Sequence, residues 1–289
     1  MFDKPKDSSK DRKTFLIEQD DLFADLEEKR GSSLFLGKYT FREAGRVMHK
    51  RSFVKEAQKR SLWPIKVVVD STEFPPLQRL QFFHNIPAPE NLVVDLKIRE
   101  GRYLPHCELP FEFSYGEYTF LVLEWLTLQN PLLEFSKDYT PLPGQKYPGL
   151  GLGRKFFDLF EYLARLNNND GILAFPAYFH NAILFLRDFY FLNPVKRGEI
   201  QAIRDAFPDI SFKQLAWIVN LGCLYDENGK MYEWKSGEMV SPVRRELRSF
   251  LESKLYWDKV EDSQTGLRYS VDWDKFRRKV REKNLFIET

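Results

Sequence analysis

The chain has 289 residues, 43% of them hydrophobic, and a net charge of +2 from 44 Lys and Arg against 42 Asp and Glu. That length and apolar fraction support one large domain or two ordinary ones, and the near balance of charge excludes a chain that is cationic throughout and binds nucleic acid over its whole surface. Two cysteines, Cys107 and Cys223, fit neither a disulfide framework nor a zinc-ligand spacing, which predicts a reducing, cytoplasmic setting and no metal site.

Residues 1–13 are charged and aperiodic and read as a disordered tail, not a secretory leader. Thr14 to Lys29 predicts a short amphipathic helix on Phe15, Leu16, Leu22, Phe23 and Leu26. Phe41 to Leu62 predicts a second helix, with Phe41, Ala44, Val47, Met48, Val54 and Ala57 on one side. It is basic, with Glu43 and Glu56 as its only acids. Such a face is either solvated or a docking surface for nucleic acid or an acidic protein. Residues 14–64 thus form a helical, basic N-terminal extension.

The middle of the chain alternates. Ile65 to Val69, Leu92 to Ile98, Tyr103 to Phe113 and Tyr118 to Leu128 read as strands, and Pro75 to His84 as a helix with Pro at its start. The most apolar of these, Tyr118 to Leu128, contains Glu124 and is too short to span a membrane. Pro131 to Tyr147 reads as an inserted loop. Leu152 to Leu166 is a helix with Leu152, Phe156, Leu159, Phe160, Leu163 and Leu166 on one face. Ile172 to Phe175 is a strand, Asn181 to Asp188 a short helix and Phe189 to Leu192 a strand. Beyond Pro194 helices are expected over 199–207, 211–220, 243–257 and 272–283, with a hairpin turning at Asp226 to Gly229. The fold class is α/β of the mixed α+β kind: a core over 65–192 and a mainly helical C-terminal extension over 193–289.

Gly149-Leu150-Gly151-Leu152-Gly153-Arg154 runs straight into the helix of 152–166. Glycines there permit a tight turn and close approach to backbone N–H groups, and a helix start attracts anions. The same stretch also fits a turn that only lets strand and helix pack closely. Arg154 stands where a dinucleotide fingerprint needs its last Gly, and Arg154-Lys155-Phe156 lacks the Lys-Ser/Thr of a P-loop. Asp170 lies at the distance of a ribose partner but in a helix-ending turn.

The glycine run with its helix resembles motif A of the GNAT N-acyltransferases, whose Q/R-x-x-G-x-G/A loop holds the pyrophosphate of acetyl-CoA. Ala182 to Phe191 resembles that family's motif B, a helix rich in Ala, Ile and Phe that ends in an aromatic strand. The resemblance covers roughly 65–192 and is best over 149–166 and 182–191. It implies a GNAT-like central mixed sheet with flanking helices. It implies acetyl-CoA or another acyl-CoA as cofactor, held by Gly149, Leu150, Gly151, Leu152, Gly153 and Arg154, with the pantetheine arm between strands 118–128 and 172–175 as these splay apart. It implies acyl transfer to an amine-bearing acceptor by direct attack on the thioester. The chain departs from the family at Pro148, where Gln or Arg is usual, and at Leu186, where many members carry the Tyr that protonates the leaving thiolate. These departures favour an alternative: a catalytically degenerate member that binds CoA or a partner without transfer.

Glu124, alone in an apolar strand, is the candidate base, expected buried with a raised pKa; the other reading is an edge-strand Glu facing solvent or paired to an Arg. His180, Tyr178 and Tyr190 are further acid–base candidates or packing residues. His84, His106 and Cys107 form no metal-ligand pattern.

Overall fold

The computed structural model describes residues 30–31, 34–102, 118–137, 139–285 and 287. The tail of 1–13, the helix expected over 14–29 and the strand expected over 103–113 lie outside the described residues. The chain divides into two compact units, one of Met1–Arg99 with Trp125–Leu132, the other of Glu100–Glu124 with Leu133–Thr289.

In the first unit, β1 (Arg30–Gly31) pairs parallel with a later strand. Two helices follow, α1 (Phe41–Lys50) and α2 (Phe53–Lys59). Thr40 opens α1 with a capping box: its Oγ1 accepts from the Glu43 N–H at 3.2 Å, and Glu43 Oε2 accepts from the Thr40 N–H at 2.8 Å. The single helix expected over 41–62 is interrupted because Ser52 takes a left-handed φ of 67°. Arg42, Arg46, Lys50, Lys55 and Lys59 are exposed on this pair.

β2 (Ile65–Ser71), β3 (Gln78–His84) and β4 (Leu92–Arg102) form an antiparallel meander, with β1 beside β2. β3 corrects the helix expected over 75–84. Gln78, Leu80 and Phe82 point inward while Arg79 and Gln81 are half-buried, a period of two that the leading prolines obscured. The buried Gln78 is satisfied: its Nε2 donates to Ser71 Oγ at 2.7 Å and to Leu34 O at 3.0 Å, and its Oε1 accepts from the Leu36 N–H at 3.0 Å.

β5 (Thr119–Leu128) gives residues 119–124 to the second unit. There it runs parallel to β6 (Gly171–Ala174), and the connection between them contains α3 (Gly153–Leu166), which packs on β6. α4 (Phe179–Phe185) and β7 (Tyr190–Phe191) follow, then α5 (Pro194–Ala206), α6 (Phe212–Asn220) and β8 (Leu224–Asp226). β9 (Met239–Pro242) enters the sheet between β6 and β7, antiparallel to both. α7 (Arg245–Leu251), α8 (Lys254–Gln264), β10 (Tyr269–Val271) and α9 (Trp273–Glu282) complete the chain.

The region expected to be mainly helical therefore supplies a strand to the sheet. The helix expected over 243–257 starts after that strand and is divided in two, with Ser253 capping α8. The expected hairpin is reduced to a bridge, Tyr225↔Met231, and β8 pairs antiparallel with β10 instead. One sheet face sets Phe120, Val122, Leu173 and Val240 into a cluster with Leu247, Leu251, Tyr256 and Val260. Each such fully buried side chain contributes about 1.5–3 kcal/mol of transfer free energy. The molecule is a mixed α/β structure, a sheet of parallel and antiparallel pairs flanked by helices. No described helix is long and apolar enough to cross a membrane.

Candidate functional site

The buried side chains of Leu150 and Leu152 anchor the glycine turn, and Gly151 takes a φ of +69° that suits glycine. A Cβ built on Gly151 or Gly153 meets nothing within 4 Å, and one on Gly149 meets only Gln145 Nε2 at 3.8 Å. Close packing does not account for these glycines. The contrast is Gly171, where a Cβ would lie 2.7 Å from Ser241 O. Leu152 caps α3 without a side-chain acceptor, and the first turn holds no acid. The first intrahelical bond is from the Phe156 N–H to Leu152 O at 3.1 Å, and the N–H groups of Gly153 and Arg154 have no protein acceptor among the described residues. Open space, a positive helix end and donors at the turn describe a cradle that fits an anionic group. The Arg154 side chain leans away to two carboxylates, Asp158 at 3.0 Å and Asp188 at 2.5 Å, which raise its pKa, Asp188 most.

β5 and β6 pair over four positions, from Phe120↔Gly171 to Leu123↔Ala174. There β6 ends, Pro176 follows two residues later without an N–H to donate, and β5 continues to Leu128. The parallel pairing thus stops on the side where the chain enters α4. Glu124 stands one residue past the last pair, and it is exposed. The expectation of a buried carboxylate is corrected: burial along β5 stops where its neighbour stops, and Glu124 faces outward as in the edge-strand reading.

His180, in the first turn of α4, is buried and stacks on Tyr178 with ring centroids 5.4 Å apart. With Tyr178 and Trp234 it lines a cavity of about 290 Å³. Burial pushes its pKa down to about 4, so the imidazole is neutral at pH 7. The Tyr190 hydroxyl donates to Glu252 Oε1 at 3.3 Å, and burial, aided by that carboxylate, raises its pKa. Leu186 caps the C-terminus of α4.

Asp170 serves as a clasp. Its Oδ2 accepts from the Thr119 N–H at 2.7 Å, its Oδ1 pairs with Arg244 at 3.2 Å, and its carbonyl accepts from the Val243 and Arg244 N–H groups. A carboxylate so engaged is not placed as a ribose acceptor. Cys223 is a buried free thiol whose pKa burial raises; Cys107 and His106 lie outside the described residues. Among the described residues no group of three or more His, Cys, Asp or Glu is arranged to hold a metal ion.

Sequence reasoning missed a cavity of about 400 Å³ that Arg154 shares with Arg197, Arg248 and Trp257. These residues come from four separate helices, α3, α5, α7 and α8, with no common motif, so only tertiary packing brings them together.

No family model matches the chain. No curated protein matches it. Among solved structures, a likeness is found to the crystal structure of AtaTR bound with AcCoA, at a TM-score of 0.27 and 13% identity, over 58% of this chain and 81% of that one. A likeness at that TM-score carries no argument about this chain.

Proposed function

We propose that the chain binds an acyl-CoA through its pyrophosphate at Gly149–Arg154 and transfers the acyl group to an amine. The observation that carries this reading is the open glycine turn at the start of α3, where a Cβ on Gly151 or Gly153 meets no atom of a packed neighbour within 4 Å among the described residues. Support also comes from β5 and β6, parallel as the GNAT resemblance implies, with pairing that ends at Leu123 and Ala174. The acyl-CoA supplies an activated thioester; the amine nitrogen forms a bond to its carbonyl carbon as the C–S bond breaks. The chain's part is to fix the anionic end of the cofactor and so set the thioester beside the amine. Glu124, exposed one residue past the end of that pairing, takes the proton released by the amine. The exposed cations of α1 and α2, in the first unit, suit an acidic protein or a nucleic acid as a partner.

A second reading, binding without transfer, is favoured by Leu186 in place of a proton donor and by the exposure of Glu124. One experiment separates the two. Acetyl-CoA should raise the melting temperature of the wild type, and Gly153→Val should abolish that rise while changing the stability of the free protein by less than about 1 kcal/mol. Absence of any shift in the wild type removes both readings. With binding established, thiol release in the presence of amines supports transfer, and Glu124→Gln should then lower kcat by at least about 100-fold without loss of binding. Unchanged kcat removes Glu124 as base, and binding with no thiol release across primary, secondary and peptidyl amines supports the second reading.

A further inference from the structure

The cavity of about 400 Å³ in the second unit is lined on its cationic side by Arg187, Arg197 and Arg248. Its carboxylates are already engaged. Asp158 and Asp188 pair with Arg154, and Glu161 pairs with Arg165 at 2.7 Å. By contrast, none of the three arginines makes an ion pair to a carboxylate among the described residues. Arg248 donates to the carbonyl of Pro242 at 2.8 Å, and Arg197 reaches only Gln201 Oε1 at 3.5 Å. Arg197 Nε is buried without any hydrogen-bond partner, and burial lowers the pKa of this guanidinium. A desolvated guanidinium with an unmet donor is unfavourable until an anion meets it. Arg197 also lies over the ring of Trp257, 5.7 Å from its centroid, and Tyr190, Tyr256 and Phe157 add further rings to the wall.

We propose that this cavity binds a small molecule carrying an oxyanion, a carboxylate or a phosphate, on a flat ring. The oxyanion meets the Arg197 fork, and the ring lies among the aromatic side chains. The volume falls in the range of small-ligand pockets. The guanidinium fork matches a carboxylate or phosphate in two-point geometry. The cationic wall comes from α5, from α7 and from the turn after α4, so the proposal does not rest on the acyl-CoA reading, although Arg154 at the edge of the glycine turn also lines the cavity.

The test is titration of the full chain with benzoate, phenyl phosphate and inorganic phosphate, read by tryptophan fluorescence and melting temperature, with Trp257→Phe to assign the optical signal. Benzoate or phenyl phosphate should change the Trp257 signal saturably and raise the melting temperature; which of the two binds tighter identifies the oxyanion. Arg197→Gln should weaken that binding by at least about tenfold. Arg248→Gln, at an exposed position, weakens it without risk to the fold. The proposal fails if neither ring compound gives a saturable signal at millimolar concentration, if a folded Arg197→Gln binds as the wild type does, or if inorganic phosphate binds as tightly as the ring compounds.

Discussion

His180 is enclosed with Tyr178 and Trp234, and burial lowers its pKa from 6.5 to about 4. In the unfolded chain the imidazole takes its proton near pH 6.5; in the folded chain it does so only near 4. Between these values the unfolded state binds more protons. Stability is therefore full above pH 6.5 and falls as the pH drops toward about 4, by at most about 1.4 kcal/mol per unit from this one group. His180→Phe should flatten that acid limb, measured as a smaller difference in urea midpoint between neutral and mildly acid solution. An unchanged difference would assign the acid sensitivity elsewhere. At this scale the sequence was legible for identity but not for environment. Glu124 has apolar neighbours on both sides, yet its exposure depends on the length of β6, a strand 47 positions or more away in sequence. His180 was legible as a candidate, and its enclosure required Trp234 from a distant turn.

At the scale of elements, strong periodicity was readable and short strands were not. α3 and α9 fall close to the spans expected, because each carries a full apolar stripe between clear end signals. β3 was lost to its prolines, and β9 has four residues, too few for a pattern. Helix contacts also decide residues that local reasoning leaves open. Gly198 sits where α5 meets α8, and a Cβ there would lie 2.6 Å from Val260 O and overlap the Ser263 hydroxyl. Gly198→Ala should therefore destabilise by about 1–3 kcal/mol, although alanine favours an isolated helix by roughly 1 kcal/mol. Urea unfolding measures it; a gain in stability would show that α5 and α8 separate readily. At the glycine turn the opposite expectation holds for Gly153, where a side chain enters open space, but not for Gly151, where the φ of +69° strains any side chain.

For the whole molecule, the sheet order was the least legible feature. Parallel pairing of β5 with β6 follows from the helix between them, a right-handed crossover being the usual solution. Insertion of β9 between β6 and β7 brings residues 239–242 back over a long contour, and no local pattern announces it. Val240 and Met239 are fully buried there. A chain ended at Glu238 should be insoluble or bind the dye ANS, because β6 and β7 would each keep an open edge. A soluble, cooperatively folding product would show that β9 is dispensable. The same insertion orders events in time. During synthesis the chain presents the glycine turn, β6 and β7 well before Met239 emerges. The edge of β6 must wait for a partner encoded some 65 residues later, so the unfinished sheet is a stage at which a chaperone has an apolar edge to hold.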